Sequence, residues 1–140
     1  MPEATARHRK VRTFEDLEVW KLARHLTQSV YEVSARGDFA RDGPLRSQIR
    51  RAAISVMSNI AEGFERDGNR EFQQFLALSK ASSGEVRSHL YAALDQRYLS
   101  QESFERIAAS ALRTSRMISS LIKYLRTSEI TGRKFKPPET

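Results

Sequence analysis

Apolar residues recur at three- and four-residue steps along four stretches of the chain, and no stretch alternates long enough to read as a strand. The first helix is predicted over Glu15–Ser34, with Val19, Leu22, Ala23, Leu26, Val30 and Val33 facing the core and Trp20, Thr27 and Tyr31 on one shoulder. Acids in its first turn suit the positive end of the helix dipole. Gly37–Pro44 reads as a loop rich in turn formers, and Pro44 fits the first position of the next helix. That second helix, Leu45–Glu62, carries a stripe of Leu45, Ile49, Ala52, Ala53, Val56 and Ile60. Ile54, Met57 and Ala61 extend its apolar surface to a second side, which a helix at the edge of a monomer does not need. Gly63 suits the left-handed position just past the helix end.

Asn69 is the expected N-cap of a third helix reaching about Tyr98, with Phe72, Phe75, Leu76, Val86 and Leu90 in its stripe. Ser79, Ser82, Ser83 and Gly84 interrupt it. Gly84 costs about 1 kcal/mol relative to alanine in an exposed helix interior, so close packing on another helix is expected there. Ser100 caps a fourth helix to about Arg126, striped by Phe104, Ile107, Ala111, Ile118, Leu121 and Leu125. Short connections make successive helices antiparallel. The predicted fold is all-α: one up-down-up-down four-helix bundle over residues 14–126. Residues 1–13 read as a flexible basic arm and 127–140, with Pro137 and Pro138, as a disordered tail.

Charge adds a functional dimension. The chain of 140 residues has 24 Lys+Arg against 17 Asp+Glu, a net +7. Four basic side chains against one acid in residues 1–12, and three against two in 127–140, put more than half of the excess in the ends. Such segments are drawn to phosphate polymers by a sequence-independent, salt-sensitive force, or else simply keep a protein in solution. Cysteine is absent, which removes disulfides and thiolate metal sites. No apolar run reaches the ~20 residues of a membrane helix, and the first residues lack a secretory apolar centre, so a cytoplasmic protein is expected.

At Asp16–Trp20, Gln48–Phe64, Arg70–Leu76 and Ser82–Val86 the chain resembles the 23S rRNA-intervening-sequence proteins, a bacterial family of four-helix bundle proteins. The block Asn59-Ile60-Ala61-Glu62-Gly63, with Arg50 and Arg51 upstream, is the most specific part. The resemblance implies a four-helix bundle assembled as a homopentameric ring, and no established activity. It departs from the family pattern after the first helix, where Asp38-Phe39-Ala40-Arg41-Asp42-Gly43-Pro44 stands in place of Phe-Pro and a glutamate.

Two clusters could meet nucleic acid. Arg46 and Arg50 share a side of the second helix with Met57; they either meet phosphate or pair with acids of a neighbouring subunit. Lys80, Arg87, Tyr91 and Tyr98 line one flank of the third helix, as cations and rings do in single-strand binders, or as amphipathic side chains do when they seal a core. Ile54, Met57 and Ala61 are the expected oligomer contacts. Asn59 and Glu62 are expected to bond another helix or turn, near Ser82, Ser83 or Arg66, with Gly63 ending the motif. His8, His25 and His89 are scattered, the six glycines are isolated, and no nucleophile elbow is readable. No catalytic residue, metal or cofactor is therefore expected. The leading expectation is a non-enzymatic homo-oligomer that binds nucleic acid, RNA before DNA; the alternative is a protein–protein adaptor with an acidic partner.

Overall fold

In the computed structural model, which describes residues 11–128, a 3-10 turn at Phe14–Asp16 leads into five helices. These are α1 (Glu18–Ser34), α2 (Gly37–Arg41), α3 (Gly43–Glu65), α4 (Asn69–Asp95) and α5 (Gln101–Ser128). The four long helices pack in a closed ring, with α1 against α3 and α5, and α4 against α3 and α5. This is the all-α, up-down-up-down bundle that the sequence predicts, and the described residues contain no strand.

The core falls into two clusters. Leu26, Val30, Phe39, Ile49, Val86, Leu90 and Ile107 belong to one. Val19, Val56, Ile60, Phe72, Leu76 and Ile118 belong to the other. Buried hydroxyls occupy the middle of the bundle. Ser79 Oγ donates to the Val56 carbonyl at 2.8 Å, Ser83 Oγ to that of Ala111 at 2.8 Å, and Thr27 Oγ1 lies 3.1 Å from that of Ala53. Burying a Leu, Ile or Phe side chain contributes about 1.5–3 kcal/mol, and a hydrogen bond about 1. The apolar clusters therefore supply most of the stability. The hydroxyl bonds, each reaching a carbonyl of a neighbouring helix, set the height of one helix against the next.

Several boundaries differ from the sequence expectation, each for a local reason. The first helix does not begin at Glu15: the Asp16 carboxylate accepts the backbone N–H groups of Arg12 and Thr13 at 2.9 and 3.1 Å, closing a turn, and Leu17 is extended and buried. Those bonds hold the Asp16 carboxyl below its ordinary value. Val11, within the stretch read as an arm, packs on the second cluster. Gly37–Pro44 is not a plain loop but holds α2, and Asp42 caps α3 by accepting the Leu45 N–H at 3.1 Å. Asn69 lies inside α4, its Oδ1 accepting from Gln73 Nε2 at 2.6 Å. Ser100 caps α5 as expected, through Ser103 N–H at 3.0 Å. α5 continues through Thr127 and Ser128. The remainder of the predicted arm and tail, residues 1–10 and 129–140, lies outside the described residues.

The two glycines exchange roles. Gly63 is not a left-handed cap but sits within α3, buried against Phe72 and Phe75 of α4. Gly84, where close packing is expected, is exposed with open space where a Cβ would stand.

Candidate nucleic-acid interface

The flank of α4 divides in two. Lys80, Arg87 and Tyr91 lie on the side of α4 that borders α5, since Ser83 between them bonds Ala111 and Tyr91 meets Phe104 edge-on at 4.8 Å. Lys80 is exposed and Arg87 half-buried, and Tyr91 keeps 55% of its surface open. Tyr98 does not join them. α4 stops at Asp95, and Arg97 turns the chain in the left-handed region at φ 62. The Tyr98 ring then stacks on Phe39 at 5.4 Å, and its hydroxyl donates to Asp42 Oδ2 at 2.9 Å. One face of this ring is already covered, so Tyr98 acts as a corner brace rather than as part of an open stacking platform.

The bond to Asp42 also pushes the Tyr98 phenol above its ordinary value of 10.0, with help from burial and from the Asp42 and Asp38 carboxylates. The folded chain holds this proton more tightly than the unfolded chain. The stabilisation is full below the unfolded value and is lost as pH rises through the raised folded one. In thermal melts at pH about 9 to about 11.5, the stability gap between wild type and Tyr98→Phe is expected to narrow as pH rises. A constant gap would show that the hydroxyl bond does not form.

Arg46 and Arg50 are engaged within the chain. Arg46 donates to the Ala40 carbonyl. Arg50 Nε donates to Ser34 Oγ at 2.8 Å, and its guanidinium lies 4.4 Å from the Tyr31 ring centroid. Arg46 ties α2 to α3 and Arg50 ties α1 to α3, and both are half-buried. On the same helix Ile54 is 43% exposed, while Met57 packs on the second cluster and Ala61 is half-buried. Tyr31 on α1 and Leu78 and Tyr91 on α4 are the other exposed large apolar groups among the described residues. The Asn59 motif is a polar seam. Asn59 Nδ2 donates to the Ser55 carbonyl and Oγ, both at 2.9 Å, and Ser55 Oγ meets Ser82 Oγ of α4 at 2.8 Å. Glu62 pairs with Arg66 at 3.0 Å, and Arg66 also reaches Glu71 at 3.9 Å and covers the Phe75 ring. The Glu62–Arg66–Glu71 end of this seam closes the α3–α4 turn.

A further basic surface lies on α5. Arg106, Arg113, Arg116, Lys123 and Arg126 are all exposed, and none makes an ion pair among the described residues. No acid occurs from Arg106 to Ser128; Glu102 and Glu105 stand in the first two turns. The signal is visible in the sequence as an acid-free helical run. Among the described residues, no three His, Cys, Asp or Glu side chains lie together as a metal site, and no helix is long and apolar enough to cross a membrane.

Comparison with known proteins bears on identity. The crystal structure of a protein of unknown function from the S23 ribosomal protein family of Bacteroides thetaiotaomicron superposes with a TM-score of 0.69 at 18% identity, over 75% of this chain and 98% of that one. At that identity the likeness concerns the fold. No curated protein matches the chain. The model of the family described as 23S rRNA-intervening sequence protein matches residues 15–120, which take in α1 to α4 and most of α5. The chain belongs to the 23S rRNA-intervening sequence protein family.

Proposed function

We propose that the chain is a non-catalytic, homo-oligomeric bundle that associates with RNA through its basic outer surface. The observation that carries this reading is the unpaired positive charge of the bundle. Of the exposed cations on α5, none has an acidic partner among the described residues, whereas Lys21, Arg41 and Arg66 elsewhere do. Ribosomal RNA is the class of partner that the family's description brings to mind. Assembly is supported by Ile54, Leu78 and Tyr91, large apolar side chains open on the outer faces of α3 and α4. The family resemblance implies five copies, and a ring would multiply weak sites into useful avidity.

Fluorescence anisotropy with a labelled RNA tests the binding. Complex formation is expected at ~50 mM salt, with affinity falling by orders of magnitude towards ~200 mM. Absence of any RNA or DNA complex at the lower salt removes the reading, and retention on an acidic protein instead points to the adaptor. Light scattering is expected to give a multiple of the 16.0 kDa chain mass. Ile54→Glu is expected to reduce it without loss of helix, because that side chain is already half open in the single chain. A wild type that stays at the chain mass at every concentration refutes assembly.

A further inference from the structure

We infer that the outer face of α5 docks along the sugar-phosphate backbone of a nucleic-acid duplex. The inference rests on the RNA-binding reading above and assigns to it a surface and a form of nucleic acid.

Arg106, Arg113, Arg116, Lys123 and Arg126 follow one another at steps of seven, three, seven and three residues. At 1.5 Å per residue they span about 30 Å, close to the ~34 Å of one duplex turn. At 3.6 residues per turn each step of seven shifts the position by about 20° and each step of three by about 60°, so the track winds about 160° round α5 and ends towards the flank shared with α4. There the pairings of Ser83 with Ala111 and Tyr91 with Phe104 set Lys80 level with the turn around Arg116. The result is one basic track on a convex rod.

Like charges three residues apart repel, by about 0.2–0.5 kcal/mol per pair in a free helix. Arg113/Arg116 and Lys123/Arg126 are such pairs, and no acid on α5 beyond Glu105 relieves them. α1 carries Glu18 and Glu32 and α4 carries Glu71, Glu85 and Asp95, while α3 is acid-free from Gly43 to Ala61 but has Arg46 and Arg50 bonded within the chain. The acid-free run of α5, from Arg106 to Ser128, is the longest among the described helices, and a polyanion laid along it removes the repulsion.

The form of the polyanion follows from what the track lacks. Between the cations the exposed positions of α5 are Ala109 and Ser120. Single-strand binders use a groove with rings on which bases stack. Here the surface is convex, the open positions on α5 are small, and Tyr91, the exposed ring on the α4 flank, is already packed edge-on against Phe104. A duplex keeps its bases stacked inside and offers about one charge per 1.7 Å of axis to such a surface.

The test uses the full chain, labelled 20-base-pair RNA and DNA duplexes, a 20-nucleotide single strand, and anionic phospholipid vesicles. Arg113→Gln, Arg116→Gln and Lys123→Gln are combined in one variant. Arg24→Gln, Arg41→Gln and Arg51→Gln remove the same charge from other exposed positions. The first variant is expected to lose duplex affinity at least tenfold and to flatten the plot of log affinity against log salt by about two to three. The second is expected to stay within about twofold of wild type. Arg113→Lys with Arg116→Lys is expected to bind duplex as wild type does, which separates charge from folding. Equal losses in both Gln variants, an unchanged α5 variant, or preference for the single strand or the vesicles overturns the inference while leaving RNA binding standing. A wild type that binds no nucleic acid removes both. RNA preferred to DNA among duplexes, or the reverse, identifies the source of the phosphate backbone.

Discussion

Gly63→Ala is expected to destabilise the chain by about 2 kcal/mol, whereas Gly84→Ala is expected to stabilise it by about 0.5–1 kcal/mol. The two positions share a residue type and a helical setting, and differ in what lies opposite. A Cβ at Gly63 would stand 2.6 Å from Phe75 Cβ and 3.0 Å from Phe72 Cδ1. Phe75 Cβ is fixed to the α4 backbone and cannot rotate away, so α3 and α4 would have to part. Overpacking of this kind costs about 1–3 kcal/mol. Here it falls at the upper end, and the ~1 kcal/mol that alanine returns through helix propensity offsets only part of it. At Gly84 nothing lies within 4 Å, so the propensity gain is uncompensated. For a chain of this size, 1 kcal/mol moves the melting temperature by about 4 °C. Gly63→Ala should melt about 8 °C below wild type and Gly84→Ala about 2–4 °C above it. Equal shifts, or a neutral Gly63→Ala, would mean that the α3–α4 approach is looser than the structure shows.

This exchange illustrates what a sequence discloses and what it withholds. Three- and four-residue apolar spacing determines which face of each long helix is buried, so the bundle and most of its core are legible from the chain alone. A glycine near a helix end is equally compatible with a left-handed cap and with close contact inside a longer helix. Only the position of Phe72 and Phe75 across the turn decides. Ser79 and Ser83 look like interruptions of an apolar stripe; in three dimensions each donates to a carbonyl of the neighbouring helix, which a periodicity cannot reveal.

The candidate site is legible in a similar, partial way. Lys80, Arg87 and Tyr91 share a flank because their steps of seven and four keep them on one side of a helix. Tyr98 continues that count but lies beyond the helix, where a non-glycine residue at positive φ redirects the chain, and no composition signal announces Arg97. Arg46 and Arg50 are visible as cations; that a carbonyl takes up Arg46 depends on α2, a five-residue helix too short for periodicity to show, and that Ser34 and Tyr31 take up Arg50 depends on how α1 lies against α3. Along α5 the acid-free run can be counted in the sequence. What the structure adds is that all five cations point outward and stand without acidic partners among the described residues.

Phe39→Ala is expected to be more damaging still, at about 3–5 kcal/mol. Phe39 is a large apolar residue in a connection that otherwise reads as polar, and it is fully buried in the first core cluster. Its removal leaves a cavity and also frees the Tyr98 ring stacked on it. The effect extends to the capping of α3, because the Asp42 carboxylate both accepts the Tyr98 hydroxyl and holds the Leu45 N–H. Phe39→Leu keeps most of the volume and should cost less than about 1.5 kcal/mol. Denaturant unfolding gives both values, and hydrogen exchange should show faster opening of the first turn of α3 in the alanine variant. A connector that merely spans two helices would tolerate truncation within about 0.5 kcal/mol, as exposed positions do. A loss that small for Phe39→Ala would mean that α2 does not close this end of the bundle. Protection of the α3 amides unchanged despite a large loss would instead confine Phe39 to packing and separate the corner's apolar half from its hydrogen-bonded half.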